Sequence, residues 1–166
     1  HTPPFSVSSV FSVVGFSLQD LNFPRTYDFD LRTNAGQSEI FDTIRRKWLV
    51  LTPEEWVRQH MVRHLVEDLG YPAGRTGIET GFEWKGVSYR ADIIVHERSG
   101  EAFIVAECKA PDVRINQRAF NQIGQYNQAI EARYLVVTNG LQHFCVEVSE
   151  DGISTTGAIP ENPDKT

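Results

Sequence analysis

Positive charge is scarce in this chain. Its 166 residues include 16 lysines and arginines against 22 aspartates and glutamates, which gives a formal net charge of −6. No block of the sequence is basic enough to indicate a nucleic-acid-binding protein by charge alone. From Glu147 onward there are five acids and one base, so the first 146 residues carry 17 acids and 15 bases. The charge therefore argues mildly against a polyanionic partner and does not exclude one.

Several motifs are also missing. The two cysteines, Cys108 and Cys145, have no C-x-x-C spacing and lie in apolar runs, which favours buried free thiols in a reducing cytosol over zinc ligands. No apolar stretch is long enough to cross a membrane, and the N-terminal residues lack the basic start of a signal peptide. No G-x-x-x-x-G-K-[S/T] loop is present, which excludes a P-loop motor within this sequence. We expect a cytoplasmic protein with no membrane partner.

The composition is that of one globular domain. A hydrophobic content of 40%, with 11% aromatic residues, is enough to bury a sizeable core. We expect a loose N-terminal extension over residues 1–20, a single domain over 21–150 and a flexible acidic tail over 151–166, where glycine and proline recur. The sequence contains no internal repeat and leaves the oligomeric state open, with a dimer as one option.

The apolar pattern predicts a mixed α/β order. In chain order we predict a hairpin over 39–42 and 47–51, a helix over 52–69, strands over 78–84, 87–95 and 102–109, a helix over 116–132, and strands over 134–137 and 141–148. The first helix has a strong start, because Thr52 can cap it, Pro53 suits its first turn and Glu55 lies at the capping-box position. Glu55 and Arg58 can share the helix face that is turned toward the sheet.

Three charged residues lie within the predicted strands. Glu107 and Lys109 end one strand and project from the same face, because side chains alternate along a strand. Pairing with the preceding strand across the turn at Ser99 and Gly100 can bring Asp92 alongside Glu107. Burying three charges is costly unless they pair or bind a cation. Two carboxylates and an ammonium on one sheet face therefore predict a magnesium site for cutting phosphodiesters.

The Glu-x-Lys spacing alone carries little information. Ordinary composition yields roughly one acid-x-Lys match in a chain of this length, and Glu83 and Lys85 form a second match. That copy adjoins Gly86 in a predicted turn and has no aspartate on a preceding strand, so we discard it as a site. The copy that ends in Lys109 differs because Asp92 precedes it and a helix with a polar face follows it.

That helix completes a recognisable set. Gln122 and Tyr126 are four residues apart, which places their Cβ atoms about 5–6 Å apart on one helix face. With Asp92 and Glu107-x-Lys109, the pair resembles the PD-(D/E)xK nuclease superfamily, in its branch with a Gln-x-x-x-Tyr motif. More narrowly, residues 52–148 resemble the N-terminal nuclease domain of type I restriction enzyme R subunits. The supporting stretches are residues 53–59, 105–112 and 134–140.

The resemblance implies a fold and an activity. The fold is restriction-endonuclease-like, an α/β domain with a central mixed β-sheet flanked by helices in an α-β-β-β-α-β core, here with an N-terminal β-hairpin extension. The activity is hydrolysis of DNA phosphodiester bonds by a Mg²⁺-dependent endonuclease of a restriction-modification system, with Mn²⁺ as a substitute for Mg²⁺. Ala91 stands where the superfamily name has proline, at a position that varies.

The resemblance also implies roles for single residues. Asp92 and Glu107 would hold the metal, with the carbonyl of Cys108 as a third ligand, which suits the preference of Mg²⁺ for oxygen. Lys109 would orient the attacking water and stabilise developing charge, and Gln122 and Tyr126 would belong to the catalytic set. A further acid is expected from the first helix. We choose Glu55 for that role, with Glu54 as the alternative.

Simpler interpretations remain open beside these roles. Asp92, Glu107 and Lys109 could form a structural ion-pair cluster, and Glu55 could serve only as a helix cap. The Gln122 and Tyr126 pair could be a polar stripe on a surface helix. His60 and His64, four residues apart, could hold zinc, although a solvated helix face is the better interpretation without a third ligand.

The DNA surface and the partners are less defined. The candidates for phosphate contacts are Arg45, Arg46, Lys47, Arg114 and Arg118. A protein partner that supplies specificity or DNA affinity would compensate for the low positive charge. The chain is either a free-standing relative of R subunits or an excised domain, and the acidic tail favours the former. The alternative function is a non-catalytic nucleic-acid- or protein-binding module that retains the nuclease fold.

Overall fold

A computed structural model describes residues 12–13 and 16–165. Most of the N-terminal extension expected over residues 1–20 therefore lies outside the described residues. In chain order the strands are β1 (Ser12–Val13), β2 (Phe16–Ser17), β3 (Leu31–Asn34), β4 (Gln37–Asp42), β5 (Lys47–Val50), β6 (Thr76–Trp84), β7 (Val87–His96), β8 (Ala102–Cys108), β9 (Tyr134–Thr138), β10 (His143–Ser149) and β11 (Gly152–Thr156). The helices are α1 (Pro53–Arg63), continued by a π-helical turn (His64–Asp68), a 3-10 turn (Ala73–Arg75) and α2 (Gln117–Ile130).

The centre of the fold is a mixed sheet with the strand order β11-β10-β9-β8-β7-β6. Strand β8 pairs with β9 in parallel, and the other neighbours pair antiparallel. A parallel pair needs a crossover connection, which α2 supplies between β8 and β9. The order α1-β6-β7-β8-α2-β9 is the predicted α-β-β-β-α-β core, which is confirmed.

The two helices pack against opposite faces of this sheet. Val57 on α1 belongs to the same buried cluster as Ile104 on β8. Ile123 on α2 belongs to a second cluster with Val105, the next residue of the same strand. Because successive side chains of a strand point to opposite faces, each helix covers one face. The end of β8 therefore lies between two packed layers, where charged side chains are partly removed from water.

A smaller antiparallel sheet, β3-β4-β5, lies before α1 in the chain. It contains the hairpin predicted over 39–42 and 47–51, together with a polar third strand, β3, that has no apolar alternation to reveal it. Ile40 and Leu51 pack with Trp56 of α1 in a separate cluster. The last residue of β4, Asp42, is fully buried, and its carboxylate points toward α1 and its neighbours.

The C-terminal segment differs from the expected flexible tail over 151–166. Residues 152–156 form β11 and pair with β10, because isoleucine and threonine favour strands more strongly than the neighbouring glycines oppose them. Beyond β11, the hydroxyl of Tyr71 donates to the carbonyl of Pro160 at 2.6 Å. The backbone amide of Asn162 donates to the carbonyl of Leu69 at 2.9 Å. These bonds hold the segment against the end of the α1 region.

The turn between β9 and β10 fixes the N-terminal segment. Gly140 has φ +85°, and an added Cβ would lie 2.9 Å from Leu21 and 3.1 Å from Val57, so a side chain would meet both steric and conformational resistance there. The backbone amide of Asn22 donates to the carbonyl of Gly140 at 2.8 Å. Among the helices described, none is long and apolar enough to span a membrane.

Candidate active site

The register of β7 and β8 brings the predicted site residues together. Ile93 pairs with Ala106, so the continuation of this register sets Asp92 opposite Glu107. The Oδ2 atom of Asp92 accepts a hydrogen bond from the backbone amide of Cys108 at 2.7 Å. The ammonium of Lys109 donates to Oε1 of Glu107 at 3.3 Å. The predicted neighbourhood of the two acids and the lysine is present in the structure.

Glu107 is the acid with the most perturbed environment. Burial raises its pKa first, and the nearby charge of Asp92 raises it further, to about 7. Lys109 lowers the pKa in part, through its charge and its hydrogen bond. The ammonium therefore does not supply enough positive charge to offset burial beside a second carboxylate.

Arg58 approaches the same pair from α1. Its Nη2 atom lies 2.8 Å from Oδ1 of Asp92 and 3.3 Å from Oε1 of Glu54, and its Nη1 atom donates to Oε2 of Glu55. The residue is only 6% exposed. Burial alone would lower the pKa of the guanidinium, but the charges of Asp92 and Glu55 outweigh burial and raise it. Arg58 is thus a permanent cation that neutralises Asp92.

A second arginine extends the network to the smaller sheet. Arg45 forms ion pairs with Asp42 at 2.7 Å, with Glu55 at 3.0 Å and with Glu79 at 2.6 Å. The side-chain amide of Gln59 donates to Asp42 at 3.0 Å and to Glu55 at 2.9 Å. One continuous set of polar and charged contacts therefore runs from the β4–β5 turn through α1 to the middle of β7.

Glu55 lies in a different environment from the one expected of a metal ligand. Thr52 caps the helix as predicted, since its hydroxyl accepts from the backbone amide of Glu55 at 3.1 Å. No hydrogen bond of the described residues joins the carboxylate of Glu55 to the cap or to Glu107. Its two oxygens are bound by Arg45, Arg58 and Gln59, so a metal ion would have to displace two arginines. Its position on the helix directs it into the arginine network.

Glu54, the alternative, faces the acid pair. Burial raises its pKa, and the charge of Asp92 raises it further, whereas Arg58 and Lys109 lower it. Glu54 in turn contributes to the raised pKa of Glu107. Its side chain is 48% exposed, and it has one ion pair, to Arg58 at 3.3 Å. Of the two first-turn acids, Glu54 is the one available to a ligand beside Asp92.

Arg45 is also corrected as a DNA contact. Its side chain is 14% exposed and is engaged by the three carboxylates named above, so it cannot reach a phosphate without breaking that network. The other candidates, Arg46, Lys47, Arg114 and Arg118, are exposed. None of these four forms an ion pair with another residue of the described chain.

Gln122 and Tyr126 form a pair on α2. The side-chain amide of Gln122 donates to the hydroxyl of Tyr126 at 2.8 Å. The ring of Tyr126 lies against Phe82 and Tyr89 of the β6–β7 hairpin, at centroid distances of 5.4 and 5.0 Å. Within the residues described, no hydrogen bond joins this pair to Asp92 or Glu107. The helix face predicted to be polar is therefore half covered by aromatic rings.

The histidine of α1, His60, and the first residue of the π-helical turn, His64, do not form a solvated face. His60 is buried, its Nδ1 lies 2.8 Å from the carbonyl of Trp56, and burial lowers its pKa to about 4. The Nδ1 of His64 lies 2.8 Å from Asp68. The expectation of solvent exposure is wrong for His60, because the rings of Phe23, Phe29 and Trp56 surround it.

The charge of the site fits a divalent cation. Around Arg58 and Glu107 lie six acids and three bases, an excess of three negative charges if all are ionised. The acids are Asp42, Glu54, Glu55, Glu79, Asp92 and Glu107, and the bases are Arg45, Arg58 and Lys109. No three His, Cys, Asp or Glu side chains are arranged to hold a metal in the described part of the chain. An ion between Asp92 and Glu107 would complete its coordination with carbonyl, water or substrate oxygens, as Mg²⁺ commonly does.

Comparisons with known proteins identify the family and the fold. A protein-family model described as "Type I restriction enzyme R protein N terminus (HSDR_N)" matches residues 53–161. Among solved structures, a fragment of a putative HsdR subunit of a type I restriction enzyme from Vibrio vulnificus YJ016 is similar, with a TM-score of 0.51 and 15% sequence identity. The match covers 66% of this chain and 24% of that chain, and at this identity it shows a shared fold. No curated protein sequence matches the chain.

We predict that Glu107 makes the metal-free protein less stable as the pH rises from about 5 to about 7. Its folded pKa of about 7 lies above the ordinary value of 4.5, so in this window the folded state keeps a proton that the unfolded state has released. The decline, on the order of 2–3 kcal/mol, ends above the folded pKa. Urea denaturation with a chelator at pH 5–8 measures it as the difference between wild type and Glu107→Gln.

The control for this experiment is Glu83→Gln, the exposed glutamate of the other Glu-x-Lys copy. It should track the wild type at each pH, whereas Glu107→Gln should be the more stable protein at pH 8. A Glu107→Gln variant with the same pH profile as the wild type would contradict the assignment.

Proposed function

Because the chain belongs to the family of type I restriction enzyme R protein N-terminal regions, we propose that it is a Mg²⁺-dependent nuclease domain that hydrolyses DNA phosphodiester bonds. The observation that carries the proposal is the pairing of β7 and β8, which sets Asp92 opposite Glu107 with Lys109 on the same carboxylate. The excess negative charge around this pair supports the same chemistry. The chain spans about a quarter of the length of the similar R-subunit fragment, so a role within a complete restriction complex is part of the proposal.

In this proposal each residue has a defined task. Asp92 and Glu107 would hold Mg²⁺ together with the Cys108 carbonyl, and the ion would supply acidification of a bound water and neutralisation of phosphate charge. The hydrogen bond from Cys108 fixes one Asp92 oxygen at the end of β8. Lys109 would orient the attacking water and stabilise the negative charge that develops on the phosphate. Its flexible ammonium already reaches Glu107, so it can serve both the ligand and the water.

Cleavage of supercoiled plasmid with Mg²⁺ or Mn²⁺ tests the activity. We expect nicking by the wild type and a loss of at least about 10²-fold in Lys109→Ala, the usual cost of removing one group that stabilises a transition-state charge. Asp92→Asn should also abolish nicking, because it removes a ligand charge while keeping the side-chain shape.

Lys85→Ala is the matched control, since it removes the lysine of the Glu-x-Lys copy at the β6–β7 turn. With plasmid at a saturating concentration, this variant should nick DNA as the wild type does. Equal losses in Lys85→Ala and Lys109→Ala would reject the assignment of the site. Folded wild-type protein that neither nicks DNA nor binds Mn²⁺ would reject the nuclease.

The further acid of the site is proposed to be Glu54 rather than its neighbour. Glu54→Gln should weaken Mn²⁺ binding several-fold, because it removes a charge that faces Asp92 and Glu107. Glu55→Gln should instead lower the free energy of unfolding by about 3 kcal/mol, because it leaves buried arginines without their acceptor. Calorimetric titration with Mn²⁺ and urea denaturation separate the two effects. The reverse pattern would restore Glu55 as the ligand.

The proposed DNA contacts are exposed bases without an ion pair in the described chain: Arg46 and Lys47 where the β4–β5 turn enters β5, Arg114 before α2 and Arg118 in the first turn of α2. If Arg114 and Arg118 touch phosphates, each change to alanine should lower the slope of log affinity against log salt by about one. The control is Arg133→Ala, an exposed arginine that already pairs with Glu147 at 2.9 Å. Fluorescence anisotropy with a labelled duplex in Ca²⁺ measures the slopes. Slopes equal to that of the wild type would show that neither arginine contacts a phosphate.

A second candidate function is a non-catalytic binding module. The observation in its favour is that Arg58 already neutralises Asp92, so this carboxylate has a counter-ion without a metal ion. The net charge of −6 also favours a chain that gains its DNA affinity or specificity from a protein partner. Mn²⁺ binding discriminates the two candidates, because a module freed from catalysis needs no cation at Asp92 and Glu107.

A further inference from the structure

The guanidinium of Arg58 occupies the side of Asp92 that a metal ion would use. Nη2 lies 2.8 Å from Oδ1 of Asp92, and Oδ2 is taken by the backbone amide of Cys108 at 2.7 Å. A divalent cation on Oδ1 would therefore lie against a fixed positive charge within a partly buried site. A divalent cation repels a guanidinium twice as strongly as a single positive charge at the same distance would. A cation and Arg58 cannot both hold Asp92 closely without a large cost.

The position of Arg58 is also incompletely satisfied. Its Nε is buried and has no hydrogen-bond partner, although both terminal nitrogens are engaged. An unpaired buried N–H group destabilises the conformation that leaves it unpaired. The guanidinium therefore holds Asp92 in a position that is less stable than a fully hydrogen-bonded one.

A second carboxylate lies close to the guanidinium of Arg58. Oε1 of Glu79 is 3.8 Å from Nη1 of Arg58, and the Glu79 side chain is 38% exposed. Glu79 lies on β6 opposite Asp92, between the pairs Ile78–Ile93 and Thr80–Ala91, and its backbone has φ +48°. This left-handed conformation is uncommon outside glycine. Arg45 holds the other oxygen of Glu79 at 2.6 Å, which leaves Oε1 to Arg58, so Arg58 can exchange Asp92 for this oxygen and remain paired.

We propose that Arg58 is a tethered counter-ion of the metal site: it pairs with Asp92 in the metal-free protein and moves to Glu79 when a divalent cation binds. The inference rests on the proposed function, because it takes Asp92 and Glu107 as the cation ligands. The exchange keeps Asp92 paired with a positive charge in both states. It also makes cation binding a switch in the contacts of α1, since Arg58 is anchored on that helix.

The wild-type protein allows a direct test by NMR. Ca²⁺ supplies a divalent cation without turnover, and the Nε–Hε signals of the arginines report the surroundings of each guanidinium. We expect the Arg58 signal to move with Ca²⁺ concentration and to saturate with binding measured by calorimetry. The Arg45 signal should change far less, because its Nε donates to Asp42 at 2.7 Å, away from Asp92. An Arg58 signal that stays constant while Ca²⁺ saturates the protein would overturn the proposal.

Mn²⁺ affinity in two matched variants gives a second readout. Arg58→Gln and Arg45→Gln each remove one positive charge from the same network, but only Arg58 competes for Asp92. We expect Arg58→Gln to bind Mn²⁺ about tenfold more tightly than Arg45→Gln, within the usual range of coupling between sites. Equal affinities, or weaker binding by Arg58→Gln, would overturn the proposal. If either variant fails to fold, the wild-type titration decides.

These outcomes separate the counter-ion from the nuclease. Arg58 signals that move with Ca²⁺ in a protein that does not nick DNA would support the exchange without supporting catalysis. Nicking that depends on Asp92 with an unmoved Arg58 would retain catalysis and reject the exchange. Absence of any cation binding would reject both.

Discussion

The carboxylate of Asp92 holds three parts of the fold together. It lies on β7, accepts the amide of Cys108 at the end of β8 and pairs with Arg58 on α1. Each contact is made in a partly buried setting, where an unpaired carboxylate would be costly. The position of α1 over the sheet, the alignment of β7 with β8 and the approach of Glu107 all depend on how this one charge is satisfied. A ligand that takes Asp92 therefore acts on several elements at once.

The rest of the network follows from that constraint. Arg58 neutralises Asp92 but also needs Glu55, and Glu55 in turn engages Arg45 and Gln59. The chain of contacts ends at fully buried Asp42 on the smaller sheet, which is thereby tied to the larger one by charge as well as by apolar packing. Such buried pairs contribute little net stability, since desolvation offsets most of the attraction. Their clearer effect is to fix which acids face the site and which do not.

The sequence predicted the architecture and the central triad because both depend on local patterns. Alternation places Glu107 and Lys109 on one face, and one short turn between two strands brings Asp92 beside them. The choice between Glu54 and Glu55 was not predictable, because neighbouring helix residues point about 100° apart and only packing decides which one faces the sheet. The contacts of Arg58 with Asp92 and Glu79 were missed for a related reason. These contacts join residues that are distant in sequence. The sequence indicated only that Arg58 lies on the sheet-facing side of the helix.

The parallel pairing of β8 with β9 has a consequence for the order in which the molecule folds. Strands β6, β7 and β8 are joined by short turns, whereas β9 reaches β8 only after residues 109–133, including α2. Closing the longer loop costs more conformational entropy, and non-local contacts form more slowly than local ones. The two acids can thus meet in an early three-stranded meander that is still open to water. The pairing of β9 then places Val137 beside Glu107, so we expect the burial of this carboxylate to be completed at that later step.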